Sequence, residues 1–230
     1  LYFCLKDGKF VVDEDDLEKF SDMERKDAYE AYQENFEGLG LSTDLFVQWA
    51  VRYFNEDGSR ASKWLKISSL GDIDTNKWYY FSDGKAYYAG NKGTVIGYKT
   101  TDDVIDMNKP IAKVTISNKI YAFDKDGKMV SGLQELITAS GANANYYFSN
   151  SADNDGSMKT GKQSIYDEDD DETYVYYFDT KASTKGLGIS GLKDGYYYVD
   201  GKRQDAEKGS KYQIKDDKYL VNESGKVKTS

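Results

Sequence analysis

The chain contains no histidine, one cysteine and one proline in 230 residues. Without histidine there is no Ser-His-Asp triad, no Cys-His pair and no histidine-ligated metal site. A lone Cys4 forms no internal disulfide and supplies no thiolate zinc site. That excludes a disulfide scaffold and leaves the redox compartment open. No apolar run is long enough to span a bilayer, so membrane insertion is not expected. The formal charge is −9, with acidic and basic residues interspersed, which disfavours nucleic acid because that partner wants a basic face. No cofactor is expected, and any catalysis would fall to carboxylates.

Aromatic residues are plentiful instead. They make up 15% of the chain, with 21 Tyr against 3 Trp, a content that argues against global disorder. They recur as a phrase of two aromatics and an apolar residue followed by an Asp/Asn/Gly turn. It reads Arg52-Tyr53-Phe54 before Asp57-Gly58, Trp78-Tyr79-Tyr80-Phe81 before Asp83-Gly84, and Tyr121-Ala122-Phe123 before Asp126-Gly127. It returns at Tyr146-Tyr147-Phe148, Tyr176-Tyr177-Phe178, Tyr197-Tyr198-Val199 and Tyr219-Leu220-Val221, with a degenerate copy at Tyr2-Phe3. A period in the twenties marks a repeat array. Successive side chains of a strand point to opposite faces, which places Trp78 and Tyr80 on one side and Tyr79 and Phe81 on the other. Asp-Gly pairs at Asp57, Asp83, Asp126, Asp155, Asp194 and Asp200 suit tight turns. A single hairpin is too small to be stable alone, and stacking neighbours to share a core is the standard remedy. The predicted fold is therefore mainly β, a solenoid of stacked β-hairpin repeats with a helical N-terminal segment.

That helix is predicted over residues 13–37. Asp13-Glu14-Asp15-Asp16 suits its positive end, Leu17, Phe20, Ala28, Ala31 and Tyr32 share a stripe, and Gly38 and Gly40 end it. It reads as a cap for the array, a partner-docking helix being the alternative. From Leu45 to Phe54 residues alternate as in a strand, although 43–49 also fit a helix capped by Ser42 or Thr43. Residues 1–47 thus form a repeat fragment plus helix, and 48–230 the hairpin repeats. Residues 99–117, with Pro110, read as an insertion with a strand at Ala112–Ile116. The acidic run Asp167–Glu172 reads as a solvated loop, lacking the glycine and terminal Glu of a calcium loop. Ser151-Ala152-Asp153-Asn154-Asp155-Gly156 starts like a calcium loop but reads as a turn, since Ser151 and Lys162 occupy the end ligand positions. No metal is expected.

Lys63-Trp64-Leu65-Lys66-Ile67, Asn76-Lys77-Trp78-Tyr79-Tyr80-Phe81-Ser82-Asp83-Gly84-Lys85, Ile96-Gly97-Tyr98 and Asp124–Leu133 together resemble the cell-wall-binding repeat family. That family includes choline-binding modules and is similar to glucan-binding and clostridial toxin repeats. The resemblance covers about residues 48–230 and 1–12. It implies aromatic cages for a choline cation, assembled from a post-glycine residue and the head of the aromatic strand. The post-glycine positions are Tyr98, Leu133, Lys162 and Leu192, with Trp64 after Lys63. The strand heads are Val51, Trp78, Ile120, Asn145, Val175, Tyr196 and Lys218. Most of these lack a ring, and Trp64, Trp78 and Tyr98 supply one cage.

The chain starts at Leu1 in mid-repeat, which reads as a trimmed mature form; the lack of a leader then says nothing about export. The sequence points to a non-catalytic cell-wall or surface-glycan binding module, secreted or held at the cell surface. Its partner would be a cell-wall polymer, teichoic acid choline or glycan, and its oligomeric state is left open. Trp64, Trp78, Tyr80 and Tyr98 form the first expected platform, Tyr196 and Tyr198 the second. A stalk or protein-interaction domain with the same rings buried is the alternative. A carboxylate enzyme is disfavoured because the acids lie in turns.

Overall fold

Short apolar-aromatic stretches separated by turn residues pair with their sequence neighbours, and the chain is mainly β. The computed structural model describes residues 3–6, 9–12, 52–54, 59–70, 73–101, 104–150 and 155–228. Among these residues there is no helix and no closed barrel. The expected helix at 13–37, the stretch 43–51, Asp57-Gly58 and residues 151–154 lie outside the described residues.

Strands β1 (Phe3–Lys6), β2 (Lys9–Val12) and β3 (Arg52–Phe54) make one sheet, with β1 and β3 parallel. A second sheet holds β4 (Lys63–Leu70), β5 (Ile73–Ser82) and β6 (Lys85–Ala86). A third holds β7 (Thr94–Thr101), β8 (Val104–Ile116) and β9 (Lys119–Phe123). Strand β8 contains Pro110 and starts earlier than the strand expected at 112–116; the fixed φ of proline is compatible with extended backbone. β10 (Gly132–Gln134) pairs with β11 (Tyr146–Phe148). A five-stranded sheet joins β12 (Gly161–Asp167), β13 (Glu172–Phe178), β14 (Gly191–Lys193), β15 (Tyr196–Val199) and β16 (Lys202–Arg203), in the order β12-β13-β16-β15-β14. β17 (Gln213–Lys215) and β18 (Tyr219–Val221) form the last hairpin. The chain divides into two compact units. The first is Leu1–Val95, Asn108–Ile116 and Ala122–Val130; the second is Ile96–Met107, Ser117–Tyr121 and Ser131–Ser230.

Tight turns follow the sequence where the chemistry is local. Asp83-Gly84, Asp194-Gly195 and Asp200-Gly201 have positive φ at both residues, the conformation whose twist matches the flanking strands. Ser117-Asn118 and Asp216-Asp217 do the same without glycine. The acidic run is a hairpin turn: Asp167 pairs with Glu172, and Asp167 Oδ1 accepts the Asp169 N–H at 3.0 Å. Side-chain carbonyls close the longer loops. Asp124 Oδ1 accepts the N–H groups of Asp126 and Lys128, and Asn222 Oδ1 those of Ser224 and Lys226.

One register repeats. Lys63 faces Phe81, Gly132 faces Phe148, Gly161 faces Phe178, Gly191 faces Tyr198, and Gln213 faces Val221. The second member of each pair is buried, and we call it the closing residue. The residue before it pairs with the residue after the glycine: Trp64 with Tyr80, Leu133 with Tyr147, Lys162 with Tyr177, Leu192 with Tyr197. The next position inward carries the buried tyrosines Tyr79, Tyr146 and Tyr176. In the first unit Tyr79 and Phe81 pack with Ala61 and Ile67, as the alternation predicts. In the second, Tyr176 and Phe178 pack with Ile165 and Tyr147, and Tyr197 with Ala206 and Val221.

Main-chain hydrogen bonds join these hairpins to the loops that follow. Phe123, the buried last residue of β9, holds the same place, and four closing residues bridge back across their own loops: Phe123 to Met129, Phe148 to Met158, Phe178 to Gly188, Val221 to Val227. The second residue of each bridge donates its N–H to a carbonyl three residues before an earlier closing residue. Met129 donates to Trp78 at 2.8 Å, Met158 to Ile120 at 2.7 Å, Gly188 to Asn145 at 2.8 Å, and Val227 to Gly195 at 2.9 Å.

The glycine position has positive φ, +80° at Gly132 and +72° at Gly161, and Lys63 sits there at 68°, whereas Gln213 in the last hairpin does without it. A side chain in that region costs about 1–2 kcal/mol. Lys63→Gly is therefore expected to raise the urea midpoint. Gly161→Ala is expected to cost about 1–2 kcal/mol and so to lower the midpoint, although nothing lies within 4 Å of the added methyl. Equal midpoints for all three proteins would refute the shared role.

Asp155 and Asp179 both have a lowered carboxyl pKa, and Asp155 is the more strongly displaced source of acid sensitivity. Burial pushes the Asp155 carboxyl upward, but Ser157 Oγ at 2.6 Å, Ser157 N at 2.7 Å and Lys159 Nζ at 3.3 Å outweigh it. Its pKa is held well below the ordinary carboxylate range. A pKa lower in the folded state gives stability that is present above about pH 4 and lost as pH falls toward the folded value. Asp124 works in the opposite direction: burial raises its pKa despite its turn hydrogen bonds, so its cost grows as pH rises through the carboxylate range. Between pH 5 and pH 2.5 the urea midpoint of Asp155→Asn is expected to fall less than that of the unaltered protein. A parallel decline would refute the assignment.

Candidate functional site

The pairing of Trp64 with Tyr80 places two large rings directly opposite each other on the β4-β5 hairpin, on the face away from Tyr79 and Phe81. Their centroids are 5.1 Å apart at 73°, an edge-to-face contact. Trp64 also stacks on Phe123, 5.9 Å away at 25°. Tyr80 contacts Tyr87 at 4.9 Å, and Tyr87 meets Phe123 edge-on at 6.4 Å. The four rings close a circuit, Trp64 to Tyr80 to Tyr87 to Phe123 and back. Trp64, Tyr80 and Tyr87 are half-buried, and Phe123, 2% exposed, forms the floor.

Local chemistry explains each placement. Phe123 is a closing residue, and Asp124 beside it holds the following turn. Tyr87 follows the Asp83-Gly84 turn and the short β6, and its N–H donates to Tyr80 O at 2.8 Å. Asn91 holds the next bend by accepting the Tyr88 N–H and donating to Ala86 O. The Lys92 ammonium lies 5.7 Å from the Tyr87 centroid, within cation–π range. The site is thus a half-open cluster of ring faces beside one cation of the chain itself.

The other residues singled out by sequence lie elsewhere. Trp78 is on the same hairpin face but opposite Lys66, outside the circuit. Its indole nitrogen is buried without a hydrogen-bond partner among the described residues. Tyr98 belongs to the second unit, where its backbone exchanges hydrogen bonds with Ile137 at 2.9 and 3.0 Å. Tyr196 is half-buried with the Arg203 guanidinium 5.5 Å over its ring. Tyr198 is a closing residue, 2% exposed, with its ring against Tyr177 at 5.9 Å. The phrase there is one residue shorter before its Asp-Gly turn, so Tyr198 takes the place of Phe81 and Gly195 the place of Trp78. The platform at Tyr196 and Tyr198 therefore reduces to one accessible ring, Tyr196. Burial raises the Tyr198 pKa, as this position requires.

Sequence reasoning missed Tyr87 and Phe123. The signal for Phe123 was its identity as the third residue of an aromatic phrase, and one such residue of the second unit makes a comparable contact. Phe178 stacks on Tyr147 at 6.2 Å and 19°. The only sequence signal for Tyr87 was a tyrosine pair just past a turn.

No family model and no curated protein sequence matches this chain. Solved structures give a distant likeness. Choline binding protein F from Streptococcus pneumoniae is similar at 19% identity and a TM-score of 0.30, over 77% of this chain and 61% of that one. Truncated alternansucrase from Leuconostoc mesenteroides is similar at 16% identity and a TM-score of 0.29, over 72% of this chain and 13% of that one. The chain thus spans less than two thirds of the length of either.

Phe123→Ala is expected to cost about 3–5 kcal/mol and to move tryptophan emission to longer wavelength as Trp64 loses its stacking partner. Unchanged emission would show that Trp64 does not rest on Phe123.

Proposed function

We propose that this chain is a non-catalytic module that binds a cell-wall polymer or surface glycan, as part of an exported bacterial protein held at the cell surface. Its hairpins would stack as a solenoid of the cell-wall-binding repeat type. The observation that carries the proposal is the closed circuit of Trp64, Tyr80, Tyr87 and Phe123, in which three of the four rings are only half-buried.

Ring faces attract a quaternary ammonium through their quadrupole, by about 0.5–2 kcal/mol per contact depending on desolvation. They equally support the apolar face of a sugar. Binding of this kind needs no moving part and no titrating group. The carboxylates with displaced pKa values, Asp124, Asp155 and Asp179, are committed to turn hydrogen bonds, which favours a passive role over acid–base chemistry. One cluster binds weakly, because the gain from linked identical sites needs several. A second reading, a structural stalk without a small ligand, is favoured by the burial of Phe123 and by Lys92 at the Tyr87 face.

Sedimentation with Gram-positive cell-wall sacculi separates these readings. The purified protein is expected to co-sediment, and Trp64→Ala and Tyr80→Ala to lose about tenfold in affinity, the effect of one desolvated cation–π or stacking contact. Release by excess choline would assign the ring cluster to the ammonium, and retention would assign it to the glycan. Absence of sedimentation with any wall preparation would favour the stalk.

A further inference from the structure

The second unit carries a half-open cavity of about 350 Å³, remote in sequence from Trp64 and Tyr80. Glu135, Asn143, Asn145, Tyr176, Asp200 and Gln204 are among its lining residues. The volume falls at the small end of the range for ligand sites, about 300–1,000 Å³. It equals about twelve liquid-water volumes, close to the number of non-hydrogen atoms in one hexose.

The wall is built rather than incidental. Asp200 sits in a tight turn with Gly201, and a Cβ on Gly188 would lie 2.6 Å from the Asp200 carbonyl oxygen. Asn143 Nδ2 donates to Asp200 Oδ2 at 2.6 Å, and Asn145 Nδ2 to Asp200 O at 3.1 Å. Ser190 Oγ donates to Asp200 Oδ1 at 3.2 Å and accepts the Asp200 N–H at 2.8 Å. Gln204 Nε2 donates to Lys202 O at 3.0 Å, and the Lys202 ammonium lies 3.4 Å over the Tyr174 ring.

Each of these bonds uses one amide hydrogen and leaves the second. The carbonyl oxygens of Asn143, Asn145 and Gln204 accept no hydrogen bond among the described residues, so each amide offers one donor and one acceptor. Glu135 adds an exposed carboxylate. Burial, with Glu135 and Asp167 nearby, pushes the Tyr176 hydroxyl up to about 12, so it stays neutral. An anionic ligand would meet Glu135 and Asp200, while the lining cation Lys202 is drawn over the Tyr174 ring, and an apolar one would strand the carbonyls. A ligand rich in hydroxyl donors satisfies both conditions.

We propose that this cavity is a saccharide subsite that takes one neutral hexose unit of a glycan through its hydroxyl groups. It stands apart from the ring cluster, and either can fail without the other. The test is titration of the full chain with glucose and with N-acetylglucosamine, followed by the side-chain amide NMR signals of Asn143, Asn145 and Gln204. Saturable shifts at millimolar sugar are expected, retained in Trp64→Ala. Glu135→Ala, which removes an exposed carboxylate, is expected to weaken binding about tenfold, the effect of one hydrogen bond to a charged group, with an unchanged melting temperature. No saturable shift with either sugar would overturn the proposal. So would shifts produced by choline and not by sugar, or equal affinity in Glu135→Ala.

Discussion

A main-chain hydrogen bond from the residue that closes each loop to an earlier strand carbonyl carries much of this chain's order. Met129 to Trp78, Met158 to Ile120, Gly188 to Asn145 and Val227 to Gly195 are the same bond made four times, with a tryptophan, an isoleucine, an asparagine and a glycine as acceptor. Only the backbone takes part, so the bond itself does not depend on which side chain stands at the acceptor. An unpaired buried carbonyl or N–H costs about as much as a lost hydrogen bond, which makes the bond hard to dispense with. The closing residues Phe123, Phe148, Phe178 and Val221 then bury against whatever this bond positions.

This division of labour accounts for the uneven aromatic inventory. The strand-head position held a ring at Trp78 but not at Ile120, Asn145 or Val175, a loss that looks like decay when only sequence is seen. The position keeps its carbonyl contact at Ile120 and Asn145 regardless. Rings persist instead where they fill space, at the closing residue and at the tyrosines Tyr79, Tyr146 and Tyr176 beside it. The half-buried rings of Trp64, Tyr80 and Tyr87, which meet one another and Phe123, are what this scheme does not demand. That is why those three carry the functional reading.

What the sequence revealed and what it hid differ by range. The strand faces at Trp78–Phe81 and the turns at Asp83, Asp194 and Asp200 follow from alternation and from the φ tolerance of Asp-Gly, and were legible. Ser117-Asn118 and Asp216-Asp217 adopt the same turn without glycine, so their composition did not announce it. The register at Tyr196–Tyr198 was misread because the phrase is one residue short, and in a strand a slip of one residue exchanges the faces. Tyr87 and Phe123 join Trp64 and Tyr80 through contacts as distant in sequence as Trp64 with Phe123 and Tyr87 with Phe123. No local pattern encodes such a pairing.

The division into two units has an optical consequence. All 3 tryptophans precede residue 95, so the second unit, which holds the cavity and most of the later hairpins, is lit only by tyrosine. Light absorbed by indole alone follows events around Trp64 and Trp78 and stays silent about Tyr176 or Tyr198. The chain therefore carries a built-in contrast between its halves. One wavelength reports on the ring cluster, and a difference between two wavelengths reports on the rest, without any label being attached.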